Sequence, residues 1–303
     1  MYAEFARETL LYEKPTAPAG IGGVLDDGLR LWRISLPLTW GLALLAQTVD
    51  SAPSILFPPA PLELPRDLDV SQRMMLLMQE SSRHSLFTFG MVMVSYIFVN
   101  AVMLRINSVA EDREMSFSEA VALGAGSLLR TWWFLILIAI GAVMFGTVVF
   151  IVAAAVGKSP AIGAQILVGL IALAALIYMF YAAVKLVAGY PAMIVDDLPA
   201  WEALKTSWTM TRGYWWRVAA LLTVLGIIGL VLVGVAFLLA GLMVALFGVG
   251  SRVGILMSGV AGILVYSLLG SLSPAVIFAI YNDFKLRKEG TDLAGRVRAL
   301  KRR

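Results

Sequence analysis

Cysteine is absent from the 303 residues, which removes disulfides, thiol catalysis and thiolate metal sites together. Histidine is nearly absent: His84 stands alone, so neither a multi-histidine metal centre nor a serine–histidine relay can be assembled from the sequence. Charge is scarce as well. Asp, Glu, Lys and Arg make up 15% of the chain, hydrophobic residues make up 60% and the mean hydropathy is +0.85, a balance that excludes a soluble globular protein. The opening MYAEFARETLLYEKP has no apolar core, so no cleaved signal or Arg-rich transit peptide is expected, and the first span has to serve as the insertion signal.

What the chain has instead is long uncharged runs. Five of them, 84–104, 131–157, 159–184, 218–251 and 253–282, are each long enough to cross a bilayer core of about 30 Å. A sixth, Ile34 to Val49, reaches only about 24 Å at about 1.5 Å per residue and needs its flanks, with Trp32 and Arg33 at one interface and Ala52 and Pro53 at the other. The predicted spans are 34–49, 84–104, 131–156, 162–191, 216–247 and 254–281. An even number puts both termini on one side, and 19 of the 24 basic residues fall on that side, which is therefore expected to be cytoplasmic. The net charge of +4 thus reads as membrane flanks and not as a nucleic-acid surface.

Sliding the chain on itself by 83 residues superposes Glu119-Ala120 on Glu202-Ala203, Trp132-Trp133 on Trp215-Trp216 and Pro191-Ala192 on Pro274-Ala275. Paired Trp and paired Pro-Ala at one offset point to a duplicated unit. That unit reads as a short interfacial amphipathic helix, a descending span and a returning span broken near its end by proline. Ser116 to Glu119 has the spacing of a capping box, and Asp197 stands before Pro199 and Glu202 as a second helix start. In the second leader Trp201, Leu204 and Trp208 fall on one face, with Glu202, Lys205 and Thr209 largely on the other. A degenerate first leader precedes Arg33. The expected fold is all-α: a polytopic six-helix transmembrane bundle of three helical hairpins, each led by a cytoplasmic interfacial amphipathic helix. Its parts are an N-terminal segment 1–33, hairpins over 34–106, 116–198 and 199–281, and a basic tail 282–303. Pro53, Pro58, Pro59, Pro61 and Pro65 predict an irregular external loop over 51–83, within which 69–79 resumes an amphipathic pattern, as an interfacial helix or a lid.

Residues that could carry chemistry are few. His84 reads as a polar residue at the external interface. The pairs Asp26-Asp27 and Asp196-Asp197 could hold a divalent ion against phosphate headgroups, although helix capping is the preferred reading. Lys185 interrupts an uncharged span six residues before Pro191; it either snorkels to the cytoplasmic interface or lines a cavity with Tyr181 and Tyr190 as polar neighbours. Pro191 and Pro274 each free a backbone carbonyl, as kinks set by packing or as the broken helices of a transporter site. Gly226, Gly229, Gly234, Gly241, Gly259 and Gly262 offer close-approach surfaces in the last hairpin. After the last span, Lys285, Arg287, Lys288, Arg296, Arg298, Lys301, Arg302 and Arg303 form a basic tail that could contact anionic lipid or only fix topology.

The run LPAWEALKTSWTMTRGYWWRV, preceded by AGYPAMIVDD and followed by SLSPAVIFAIYNDFKLRK, resembles the glycerophosphoryl diester phosphodiesterase membrane-domain superfamily and related YciC-like bacterial membrane proteins. The likeness rests on an Ala-x-x-x-Ser/Trp leader, a proline in the returning span and a closing Tyr281, Asp283, Lys285 signature. It implies a fold and no reaction. In the phosphodiesterase members the chemistry belongs to a separate soluble catalytic domain, and nothing in this sequence through Arg303 resembles one. No cofactor or metal is expected.

These readings converge on a non-catalytic protein of the bacterial cytoplasmic (inner) membrane, a lipid-contacting scaffold of membrane homeostasis or a partner of other membrane proteins. A transporter of small molecules or amphiphiles built around Lys185 is the alternative, and a lipid-modifying enzyme the third. Membrane lipids, anionic ones in particular, are the expected partners, and nucleic acid is not. Reporter fusions test the orientation: a fusion after Arg303 is expected to report a cytoplasmic position and the 51–83 segment to take an external label. An external signal from the C-terminal fusion would reverse it.

Overall fold

The computed structural model describes residues 12–56, 70–157, 161–248 and 251–301, with side chains described for 12–55, 86–157, 161–248 and 251–288. Those residues form helices and no strand. In chain order the helices are α1 (Ile21–Leu56), α2 (Val70–Ala110), α3 (Phe117–Gly126), α4 (Leu128–Gly157), α5 (Ile162–Leu186), α6 (Gly189–Val195), α7 (Ala200–Met210), α8 (Trp215–Phe247) and α9 (Arg252–Lys301). Five of them, α2, α4, α5, α8 and α9, contain stretches long and apolar enough to cross a membrane. The sixth expected span, 34–49, belongs to α1, which does not reach that criterion: Pro37, Gln47 and Asp50 dilute its hydropathy.

Several expected boundaries give way. The first leader and the first span are one continuous helix, α1, so residues 21–33 form no separate element. The 51–83 segment is not irregular throughout. Helix α1 runs through Pro53 to Leu56, because a proline removes only one backbone donor and can be carried near a helix end, and α2 begins at Val70. The 69–79 segment, read as a separate interfacial helix or lid, is therefore the start of α2, and the remaining prolines of that loop lie outside the described residues. His84 lies within α2, where its side chain is outside the described ones. The 282–303 tail is likewise no separate element, since α9 continues to Lys301.

The two short leaders α3 and α7 begin 83 residues apart, at Phe117 and Ala200, in line with the repeat offset. The Ser116 capping box is fully formed: the Glu119 N–H donates to Ser116 Oγ at 3.1 Å and the Ser116 N–H to the Glu119 carboxylate at 3.3 Å. The two prolines, however, are not equivalent. Helix α5 ends at Leu186 and α6 restarts at Gly189, which puts Pro191 in a first turn where its missing N–H costs nothing. Pro274 instead sits inside unbroken α9. Both prolines are buried among close neighbours, Ala192 and Met193 beside Pro191 and Ala275 and Val276 beside Pro274, so burial alone does not account for the difference.

Contacts divide the chain into two compact units, each described in turn. The first holds Gly28–Leu128 and Val224–Val276. Within it α1 and α9 run antiparallel. The Trp32 indole donates to Ser271 Oγ (3.0 Å) and the Trp40 indole to Ser267 Oγ (2.9 Å), while a Cβ on Gly28 would meet Val276 Cα at 2.9 Å and one on Gly259 would meet Ile55 at 2.9 Å. Small residues thus set the backbone approach, and indole–hydroxyl bonds fix the register. Helix α3 is seated on α2 by Gly124, where a Cβ would lie 2.4 Å from the Ile97 carbonyl oxygen, and by Asn100, whose amide donates to the Gly124 carbonyl (3.2 Å) and Ser127 Oγ (3.0 Å). Buried Arg105 donates to the Leu38 carbonyl (2.9 Å) and the Met115 carbonyl (2.6 Å). The second unit holds Pro15–Asp27, Leu129–Thr223 and Ile277–Arg303, and it contains the candidate site.

Candidate functional site

Two features of the second unit concentrate its polar chemistry. The first is an ion-pair cluster on the 281–287 stretch of α9. Tyr281 and Lys285 are four residues apart, so both project from one side of the helix. Both engage Asp196, in the turn after α6: the Tyr281 hydroxyl donates to one carboxylate oxygen and Lys285 Nζ reaches the other at 2.5 Å. Asp283 is the second centre and its side chain is 7% exposed. It accepts from the backbone N–H of Ala19 (3.1 Å) and from Arg287 Nε (2.8 Å), and lies 3.4 Å from Arg217 in the first turns of α8. Both arginines also donate to the Ala19 carbonyl. One carboxylate therefore gathers the segment before α1, the start of α8 and the next turn of α9 around two guanidinium groups.

This arrangement corrects the reading of the acidic pair. Asp197 caps no helix, because the N-cap of α7 is Pro199 and makes no side-chain bond. Asp197 sits instead in the left-handed region, φ 57°, which short polar residues tolerate, and it is paired with Arg130. Asp196 is occupied by Tyr281 and Lys285, and no group of three or more Asp, Glu or His among the described residues is arranged to hold a metal ion. Asp27 lines a small recess beside Ala19 and Asp283 and is itself partnered. Two members of the expected lipid-contact tail, Lys285 and Arg287, are engaged within the protein.

The second feature is a groove of about 540 Å³ lined by α4 from Leu137 to Phe145, by α5 from Tyr178 to Leu186, and by Trp201, Leu204, Lys205 and Trp208 of α7. Its far end is closed by Phe145 against Tyr178, ring centroids 4.7 Å apart. Helix α7 is seated at the near end because Ser207 donates to the Lys185 carbonyl at 2.7 Å and because Ala200, Ala203 and Ser207 are buried. Gly189 is needed at this junction, since a Cβ there would meet the Phe134 ring at 3.0 Å. Lys205, expected on the wet face of α7 and away from Trp201 and Trp208, lines the groove with both of them, 6.0 Å from the Trp201 ring centroid.

Lys185 lies behind this wall. It is 5% exposed, and its ammonium is 5.7 Å from the Tyr181 ring centroid and 5.5 Å from that of Trp208. Tyr181 in turn stacks on Trp215, 5.5 Å between centroids, and the Trp215 indole donates to the Tyr181 carbonyl. Of the residues grouped around Lys185 in the sequence, the structure brings Tyr181 to the ammonium, adds Trp208, and puts Pro191 in the next helix and Pro274 in α9. Trp208 and Lys205 are three residues apart and Trp201 and Lys205 four, so the three share a face of α7 by helical spacing, and the docking of α7 turns that face to the groove.

The segment 161–282 matches the family model for the membrane domain of glycerophosphoryl diester phosphodiesterase. It takes in α5 to α8 and most of α9, including Asp196 and Tyr281, and ends one residue before Asp283. No curated protein and no solved structure matches the chain.

The cation–π arrangement has a measurable consequence. Trp208→Ala removes one of two rings facing a buried ammonium and is expected to destabilise by about 2 kcal/mol, with Lys185→Met recovering much of that loss in the double variant. Trp201→Ala, facing only exposed Lys205, is expected to cost less. Unfolding of the detergent-solubilised variants by graded sodium dodecyl sulfate measures all four, and strictly additive effects would contradict the assignment.

Proposed function

We propose that this is a non-catalytic membrane protein that contacts lipid through its exposed helices and serves as a scaffold or partner in membrane homeostasis. The observation that carries the reading is the burial pattern: none of the most apolar stretch of α4 or of α5 is buried within the protein, against 56% of that of α9. Surfaces of this kind require hydrocarbon or another membrane protein against them. Two further facts support it. The membrane-domain match carries no catalytic domain with it. The carboxylates Asp196, Asp197 and Asp283 each have a basic partner, which suits them to holding segments together and leaves them poorly suited to acid–base work. A transporter finds less support, since the groove lining contains one charged side chain, Lys205, and Lys185 is enclosed by rings. The basic residues near the ends of the spans support N-in, C-in insertion in the bacterial inner membrane.

If lipid is a functional partner, the purified full-length protein is stabilised when phospholipid is returned to it. A lipid at about ten times its Kd adds about 1.4 kcal/mol. Thermal melts in detergent, with and without added phosphatidylglycerol or phosphatidylethanolamine, are expected to rise by several degrees. Melts indifferent to any phospholipid, or turnover of a glycerophosphodiester by the purified chain, would contradict the proposal.

A further inference from the structure

The groove between α4, α5 and α7 differs in chemistry along its length. Its walls are Leu137, Ala142, Ala182 and Leu186, its far end is the Phe145–Tyr178 contact, and its near end has two indoles and the Lys205 ammonium. Lys205 has no carboxylate within ion-pair distance among the described residues; its contact is the face of Trp201. An uncompensated cation beside Trp201 and Trp208, at the end of an apolar slot, is complementary to one anion attached to one hydrocarbon chain. The volume of about 540 Å³ falls within the usual range for small-ligand sites of about 300–1,000 Å³. The slot follows nine-residue stretches of α4 and α5, eight steps and so about 12 Å at about 1.5 Å per residue. It also crosses Gly141, where an added Cβ would find nothing within 4 Å.

Resting on the lipid-contacting reading above and naming its ligand, we propose that this groove binds one anionic bilayer phospholipid. Its phosphate sits on Lys205 between the tryptophans, and one acyl chain lies along α4 and α5 toward Phe145 and Tyr178. The choice of a phospholipid follows from access. The apolar stretches of α4 and α5 are unburied, so the groove is open to hydrocarbon, where phospholipid is the abundant amphiphile and its second chain can remain in the bilayer.

The test is a titration of the delipidated full-length protein, followed by native mass spectrometry, with phosphatidylglycerol and phosphatidylethanolamine. Anionic phosphatidylglycerol is expected to bind about five- to tenfold tighter than zwitterionic phosphatidylethanolamine. Lys205→Met removes the cation and Gly141→Leu fills the slot where there is open space; each is expected to weaken phosphatidylglycerol binding by about five- to tenfold, with Lys205→Arg close to wild type. Equal binding of the two phospholipids, or phosphatidylglycerol binding unchanged in both variants, overturns the proposal. A second arm needs no variant: phosphatidylglycerol with a photoreactive acyl chain is expected to label wild-type peptides spanning 137–145 and 178–186, and labelling spread evenly over all apolar helices overturns the site. If stabilisation by phospholipid persists in that case, the general lipid-contacting reading stands and only the groove is lost, whereas a protein indifferent to every lipid removes both.

Discussion

A carboxylate cannot be taken out of water without something to replace its hydration, and the second unit is organised around one that has been, Asp283. Asp283 is 7% exposed and is tolerated because two guanidinium groups and a backbone N–H converge on it. Each partner arrives on a different piece of chain, so satisfying the charge obliges the segment around Ala19, the start of α8 and the 283–287 turn of α9 to meet at one place. Asp196, which stays exposed, ties the turn after α6 to α9 through Tyr281 and Lys285. The position of α7 follows from that turn, and the near end of the groove follows from the position of α7.

The two lysines of this region illustrate how the same side chain acquires different roles from its surroundings. Lys185 is enclosed between Tyr181 and Trp208, where ring quadrupoles replace water around the ammonium and nothing is left to offer a ligand. Lys205 is exposed, with Trp201 at 6.0 Å, and remains available to an anion. Trp208 lies between them, facing the buried ammonium and the groove wall. The two ammonium groups thus face different indoles of one helix, Lys185 that of Trp208 and Lys205 that of Trp201, so α7 takes part both in packing and in lining the groove.

Much of the helical content was legible because charge-free runs of sufficient length have few alternatives in a chain this apolar, and the Ser116–Glu119 capping box was legible because both of its partners are local. The rest depends on distant partners. Nothing near Asp196 indicates that its carboxylate will meet Lys285, 89 residues away; Asp196 ends α6 as its C-cap, and Asp197 caps no helix. Pro191 and Pro274 share one repeat position, but α9 is unbroken through Pro274 while the chain turns before Pro191. Continuity from the first leader into α1 was missed because amphipathic spacing marks a face and not an end. The groove exists only when three helices converge, and the docking of α7 turns the face that carries Lys205 toward it.

The central claim is that Asp283 is a buried electrostatic hub whereas Asp197, 81% exposed, is a peripheral pair. The most direct measurement compares the unfolding free energies of Asp283→Asn and Asp197→Asn in the same detergent. Removing one partner of a buried charge group costs about 3–5 kcal/mol, and losing an exposed ion pair costs about 0–1 kcal/mol. The account predicts that separation, with Asp283→Asn far the more destabilising. Two small and similar losses would contradict it, for they would mean that the segments gathered at Asp283 are held together by something other than its charge.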